Sequence, residues 1–328
     1  MSQNKVLDGL FGVCVGDALG LPVEFQPREE RDKDPVKEMR GYGMFFQPAG
    51  TWSDDSSLTF CLAESLCKQS SIGYTAILKD IAVNFVKWYD QGYWTASEKL
   101  PYIKVTEKRI DVGEIVKKAI LALKNGATPE EAGLTSRTEN GNGSLMRILP
   151  MVFYTKDMPV RERFEKVRYV SSITHAHIES VISCQIYNEV LKNILEGDDI
   201  RTAYDKMKPV VQDYYKKQGQ EHELETFDRI SEQDISKIPK DKIFSRSYVL
   251  DSLEAALWCN LNHDNYKDTV IEAVNLGWDT DTNGAITGGI AGLYYGFENI
   301  PQEWVYQIAR KKDIEDLAER LNNATKDI

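Results

Sequence analysis

Apolar residues recur at helical spacing through almost the whole of this chain, and no alternating pattern between turn signals competes with them. Leu7, Leu10, Phe11 and Cys14 share one face of the first segment. Ile77, Ile81, Phe85 and Trp88 do so in a later one, and Ile115, Ala119, Ala122 and Leu123 in the next. Further helical stretches are predicted at about 175–196, 199–217, 248–262, 265–276, 283–296 and 302–322. The periodicity predicts an all-α fold of roughly a dozen helices. On the first helix Gly12, Gly16 and Gly20 fall four apart. In a bilayer that spacing marks helix dimerisation, but Asp8 and Asp17 interrupt this helix. The spacing is therefore read as close backbone approach to neighbouring helices inside a soluble core.

Residues 1–328 read as one domain, with 42% apolar and 28% charged residues, a balance that permits a sizeable core. The stretch from about 218 to 247 is highly charged and weakly periodic. Because apolar helices continue on both sides, it is predicted to be a surface excursion and not a linker. Residues 27–50 carry Pro27, Pro35, Gly41, Gly43, Pro48 and Gly50 and read as a loop leading into an acidic motif.

Lys and Arg total 40 against 51 Asp and Glu, a net charge of -11. No Lys/Arg-rich run offers a nucleic-acid footprint, so no nucleic-acid partner is expected. An acidic surface repels phosphate, so a phosphate-bearing ligand would need local cations, which bound metal ions could supply. The five cysteines include no close CxxC pair, and all but Cys67 sit in apolar helical stretches. Neither a disulfide framework nor a zinc site is suggested. The N-terminal stretch lacks the pattern of a signal peptide, and no run is read as reaching the roughly 20 apolar residues of a membrane span. The expected setting is cytoplasmic, away from membranes, with a monomer favoured.

Two acidic clusters stand at predicted helix starts. The first is Ser53-Asp54-Asp55-Ser56-Ser57, running into Leu58, Phe60, Cys61 and Leu62; the second is Asp279-Thr280-Asp281-Thr282-Asn283, running into Ala285, Ile286 and Ile290. Ser and Asp cap helices by accepting from early backbone N–H groups, which accounts for one residue of each cluster. It accounts less well for paired carboxylates flanked by hydroxyls. Asp-x-Asp in an extended segment would put both carboxylates on one side. Hard divalent cations such as Mg²⁺ take oxygen ligands, and Mn²⁺ accepts them. Brought together, the clusters offer four carboxylates and two hydroxyls, the donor set of a dinuclear site with metals about 3.5–4 Å apart.

With their flanks, these clusters resemble the ADP-ribosylglycohydrolase family, enzymes that remove ADP-ribose from modified proteins. The resemblance runs through GLFGVCVGDALGLPVEF, GTWSDDSSLTFCLAESL, GNGSLMRILPMVF, SSITHAHIES, YVLDSLEAALWC and NLGWDTDTNGAITGGIAGLYYG, in the family's order. It implies an all-helical fold and two divalent cations, Mg²⁺ or Mn²⁺. The family's metal ligands fall on Ser53, Asp54, Asp55, Asp279, Asp281 and Thr282. The family often has Thr at the position of Ser53, and usually Gly at that of Trp278, whose ring would narrow the pocket or stack on the ligand.

Glu24 matches a glutamate that many members place near the scissile bond, where it would accept a proton from water or line up the leaving group. Read without the resemblance, it is a solvated carboxylate at a helix end. Asp17 reads as a buried structural partner. Gly141-Asn142-Gly143-Ser144 resembles a loop that contacts ADP-ribose: its glycines expose backbone N–H groups, and Ser144 is predicted to cap the next helix. Arg147 is left between facing the ligand and facing a carboxylate. Thr174 is predicted to cap the helix that follows; the resemblance gives His175 a ligand-holding role, and His177 is taken as incidental.

The implied reaction is metal-assisted hydrolysis at C1″ of the distal ribose, with Glu24, Asp55 and Asp281 as the catalytic set and an ADP-ribosylated protein as partner. The motifs look most like the family's bacterial branch, which favours an arginine linkage over serine. Two other readings are weighed. One is a non-catalytic ADP-ribose binder, although every ligand position is kept. The other is a helical phosphohydrolase built on His-Asp pairs, for which His263-Asp264 is the one candidate.

Overall fold

Asn4 starts the first helix, its side chain accepting from the N–H groups of Val6 and Leu7 at 3.1 and 3.2 Å. The computed structural model describes residues 4–68, 73–99, 104 and 109–326. Its helices are α1 (Lys5–Gly20), α2 (Arg28–Lys33), α3 (Asp54–Leu66), α4 (Tyr74–Gln91), α5 (Glu114–Lys124), α6 (Met151–Thr155), α7 (Val160–Ser172) and α8 (Ile178–Leu195), then α9 (Ile200–Lys217), α10 (Asp228–Ser231), α11 (Val249–Asn262), α12 (Tyr266–Asn275), α13 (Thr280–Tyr295), α14 (Gln302–Val305) and α15 (Lys311–Ala324). Among the described residues there is no strand; two isolated bridges join Leu134 to His175 and Gly141 to Tyr248. The fold is all-α, as the periodicity predicts.

The glycine stripe of α1 finds its partner in α13. A Cβ added at Gly12, Gly16 or Gly20 would collide with the carbonyl oxygens of Gly288, Gly284 and Thr280 respectively. The register falls along α13 as it rises along α1, so the helices run antiparallel with their backbones touching. Glycine is needed on both sides: a Cβ on Gly284 or Gly288 would meet the carbonyl of Gly16 or Gly12. The Thr280 hydroxyl donates to the Gly20 carbonyl at 2.8 Å, and Tyr266 OH donates to that of Gly12 at 2.8 Å. The C-terminal end of α1 is thereby locked beside the N-terminal end of α13, which places Glu24 next to the second acidic cluster.

Both helices are buried nearly all round, with α3 against them. Lys5–Val23 is in fact long and apolar enough to cross a bilayer, contrary to the sequence reading, yet 94% of it is buried inside the fold. Other boundaries also differ. α8 begins at Ile178, because residues 174–176 are held in the bridge to Leu134. The stretch read as 302–322 breaks at Arg310 (φ 53°), which donates to the Thr95 carbonyl at 2.9 Å and the Glu98 carboxylate at 2.6 Å. The 218–247 excursion is a chain of short helical turns pinned to the core by buried Phe227, Ile230, Ile235 and Ile243. The 27–50 loop contains the short α2.

Candidate active site

Each acidic cluster is held largely by groups from elsewhere, which leaves one carboxylate oxygen each of Asp55 and Asp281 without a partner. At α3 the N-cap is Ser53, but much of the capping comes from Asp17 on α1. Its carboxylate accepts from Ser53 N–H (2.9 Å), Ser56 N–H (3.0 Å) and the Ser56 hydroxyl (2.6 Å). Asp17 is fully buried, the structural partner expected from its position. The Ser53 hydroxyl donates to Asp55 Oδ2 at 2.9 Å, and that of Thr282 donates to the same oxygen at 3.3 Å, joining the two clusters across 227 positions.

At α13 the cap residue is Asp279, yet its side chain makes no capping bond. It accepts instead from Asn142 Nδ2 at 2.9 Å, which also donates to the Ser252 hydroxyl at 2.8 Å. Asp281 lies in the first helical turn. The two carboxylates thus converge through the turn from cap to helix, and not along an extended segment.

Glu24 follows a 3₁₀ turn (Leu21–Val23) and is 2% exposed, not solvated. Its neighbour Phe25 (φ 64°) donates to the Trp278 carbonyl at 2.7 Å, while Trp278 (φ 63°) donates back to Gln26 at 2.7 Å. Two bulky residues in the left-handed region mark a strained clamp. The clamp draws the Glu24 segment onto the second cluster, and oxygens of Glu24, Asp279 and Asp281 lie within 4.8 Å of one another.

This concentration of acid is electrostatically costly. Burial, then the charges of Asp111, Asp279, Asp55 and Asp17, push Glu24 up to about 11. Burial first and neighbouring carboxylates second hold Asp54, Asp55 and Asp281 well above the usual carboxylate range. Asp17 is also raised, to about 6, by burial. Glu24 Oε2, Asp55 Oδ1 and Asp281 Oδ2 are buried with no hydrogen-bond partner. Orphaned carboxylate oxygens in an all-oxygen cluster are what a hard divalent cation requires, so the residues present fit such an ion.

The cluster opens into a cavity of about 370 Å³ bordered by Glu24, Phe25, Asp54, Asp111, Gly141–Gly143, Met146, His175, Asp279 and Thr282. Ser53, Asp55 and Asp281 lie behind that wall. Asp111, on the segment before α5, was missed by sequence reasoning. Burial and the charges of Asp279 and Asp17 raise it to about 6, partly offset by contact with Glu24. It belongs to no motif; its left-handed backbone (φ 51°) is visible only once the chain is folded.

Several assignments change in the structure. Ser144 caps no helix and does not line the cavity; it turns back to Ser171 Oγ (2.9 Å) and Cys184 Sγ (3.5 Å). Trp278 is 44% exposed and lies outside the cavity lining, so its ring does not narrow the cavity, while its backbone forms the clamp with Phe25 and Gln26. His177, taken as incidental, is the cap of α8, accepting from Glu179 N–H, in place of Thr174. His263 Nδ1 donates to the Cys259 carbonyl (3.0 Å) at the end of α11, and His263 and Asp264 are not part of the carboxylate group formed by Glu24, Asp279 and Asp281. The free cysteines are buried except Cys67.

The site's composition, on an all-α fold, matches a known group. The ADP-ribosylglycohydrolase family profile covers residues 1–327, and the chain belongs to that family, a family of glycosidases. It is 31% identical to the ADP-ribosylarginine hydrolase Tri1 of Serratia proteamaculans (strain 568), over 98% of this chain and 79% of that protein. It is 24% identical to the ADP-ribosyl-[dinitrogen reductase] glycohydrolase of Rhodospirillum rubrum, over 95% of this chain and 93% of the other. A solved structure described as an ADP-ribosylglycohydrolase-related protein complex superposes with a TM-score of 0.77 at 27% identity, covering 98% of each chain.

Proposed function

We propose that this enzyme hydrolyses the N-glycosidic bond between C1″ of ADP-ribose and an arginine side chain of a modified protein, using Mg²⁺ or Mn²⁺. The observation that carries the reading is the trio of unpartnered buried oxygens on Glu24, Asp55 and Asp281 beside a cavity of about 370 Å³. The arginine linkage rests on the relatives named ADP-ribosylarginine hydrolase at 31% identity, against 21% for the chicken ADP-ribosylhydrolase ARH3, which supports the serine alternative less.

Ser53, Asp54, Asp55, Asp279, Asp281 and Thr282 would hold two cations, with Glu24 close enough to share in ligation. Bound there, the ions would neutralise the cluster and stabilise developing charge as Lewis acids. The chain's own groups do the rest. Gly141 and Gly143 leave the cavity wall without side chains, and His175 presents an N–H there for a ligand oxygen. Asn142 holds Asp279 in place. Glu24, with Asp111 facing it, takes the proton from water as it attacks C1″, and the guanidine leaves as the C–N bond breaks. We place the protein in the cytoplasm as a monomer acting on an ADP-ribosylated protein; the net charge of -11 is consistent with no nucleic-acid partner.

A hydrolysis panel on arginine-, serine- and carboxylate-linked ADP-ribose tests it. Release of ADP-ribose fastest from arginine supports the linkage; preference for serine would transfer the proposal to the O-glycosidic bond.

A further inference from the structure

Arg147 is fully buried, and the partners its guanidinium finds are a backbone carbonyl and a hydroxyl, not a carboxylate. Its guanidinium sits over the Phe85 ring, 4.9 Å from the centroid, and donates to the Gly143 carbonyl and, at 2.7 Å, to the Thr174 hydroxyl. Burial lowers its pKa to about 10, so it stays cationic at neutral pH. The Thr174 hydroxyl in turn meets His175 Nδ1 at 2.8 Å. The other edge of that imidazole faces the cavity wall: a Cβ on Gly143 would stand 2.8 Å from its Cε1, and one on Gly141 3.4 Å from its Nε2. Here a cation is kept in the interior, one hydroxyl away from a ring that lines the cavity.

Counting donors decides which ring nitrogen carries the proton. A threonine hydroxyl has one hydrogen and two lone pairs. Arg147 occupies one lone pair. Were Nδ1 protonated, it would occupy the second, and the Thr174 hydrogen would be buried with no acceptor, since no other group among the described residues is bonded to it. With Nδ1 bare, the hydroxyl donates to it and the Thr174 hydrogen has its acceptor. Burial, and then the nearby Arg147 charge, depress the His175 pKa to about 3, so the ring is neutral and carries one N–H.

We propose that Arg147 and Thr174 are positioning residues that lock His175 as the Nε2–H tautomer, so that the cavity wall presents a fixed N–H donor to an acceptor oxygen of the ligand. The same relay ties that donor to the Gly141–Gly143 loop, because one guanidinium holds both. A donor fixed in this way favours phosphate or ribose oxygens and disfavours a ligand group that must itself donate. This rests on the reading of ADP-ribose as the ligand only for the choice of probe.

The test is ¹⁵N NMR of histidine-labelled full-length protein, practicable because the chain has four histidines. The expected wild-type signature for His175 is a protonated Nε2 and a bare Nδ1, unchanged down to about pH 5. Thr174→Val removes the hydroxyl at nearly constant shape; it should mix or invert the tautomer and weaken ADP-ribose binding about 10-fold in calorimetry. Thr174→Ser should restore both, which a merely structural role for the side chain would not require. A protonated Nδ1 in the wild type overturns the proposal, as does a Thr174→Val spectrum with the tautomer intact. If Thr174→Val does not fold, the wild-type and Thr174→Ser spectra still decide it. Failure of the wild type to bind ADP-ribose would instead refute the choice of ligand, while the tautomer readout continues to judge the relay.

Discussion

Replacing Glu24 by glutamine should stabilise the metal-free protein. In the wild type without cations, Glu24 is 2% exposed and its pKa is raised from the ordinary carboxylate range to about 11. At pH 7 the folded state therefore keeps it protonated, whereas the unfolded chain releases the proton above about pH 4.5. The sign follows from the raised value: the contribution to stability is fully present below the unfolded pKa and is lost as pH rises towards the folded one. Across that window the folded protein loses about 1.4 kcal/mol per pH unit for this proton, so at pH 7 the cost is about 3 kcal/mol. A neutral amide at this position would carry no such cost and keeps the shape. For a chain of this size the difference corresponds to about 4 °C in Tm. The assay is thermal and urea unfolding of wild type and Glu24→Gln in chelator at about pH 5, 7 and 8.5. The variant should be more stable at pH 7, the gap widening at the highest pH and nearly closing at the lowest. Saturating Mn²⁺ should largely close the gap at pH 7, since a ligand at about 100 times its Kd adds about 2.7 kcal/mol to the protein that binds it more tightly. A variant no more stable than wild type in chelator, or a gap indifferent to pH, would refute the argument that Glu24 is a repelled, buried acid.

Other perturbations probe the frame and the site separately. Gly16→Ala drives a Cβ into the Gly284 carbonyl; it should cost at least about 1–3 kcal/mol in urea unfolding, because backbone cannot yield as a side chain can. Asn142→Ala removes the amide that holds Asp279 and should weaken Mn²⁺ binding about 10-fold by calorimetry, with little change in Tm. Asp55→Ala and Asp281→Ala should each reduce ADP-ribose release at least about 1,000-fold while leaving the metal-free protein folded, by circular dichroism; near-normal turnover in either would remove it from the catalytic set.

What the sequence made legible follows from how local each cause is. The Gly12/Gly16/Gly20 stripe is a one-helix signal of backbone contact, but its partner, Gly284 and Gly288 on α13, emerges only from the packing. The clusters could be read as helix starts because capping chemistry is local. Asp279 nonetheless spends no oxygen on its cap, since Asn142 claims it from 137 positions away. Glu24 is read as exposed in isolation because nothing in LPVEF announces the Phe25–Trp278 clamp that buries it. Asp111 was illegible for the same reason: one acid in an aperiodic segment reaches the cavity only through the tertiary fold. Thr174 and His177 both carry capping groups, and the bridge between Leu134 and His175 moves the helix start to favour the second.

The most direct test of a cation-dependent glycohydrolase is the release of free ADP-ribose from an arginine-linked substrate by protein stripped with chelator and then resupplied. No release after stripping, with activity recovered on adding Mn²⁺ or Mg²⁺, is the predicted result. Undiminished release by the stripped protein would contradict the assignment of Ser53, Asp54, Asp55, Asp279, Asp281 and Thr282 as the ligands of a catalytic pair of cations.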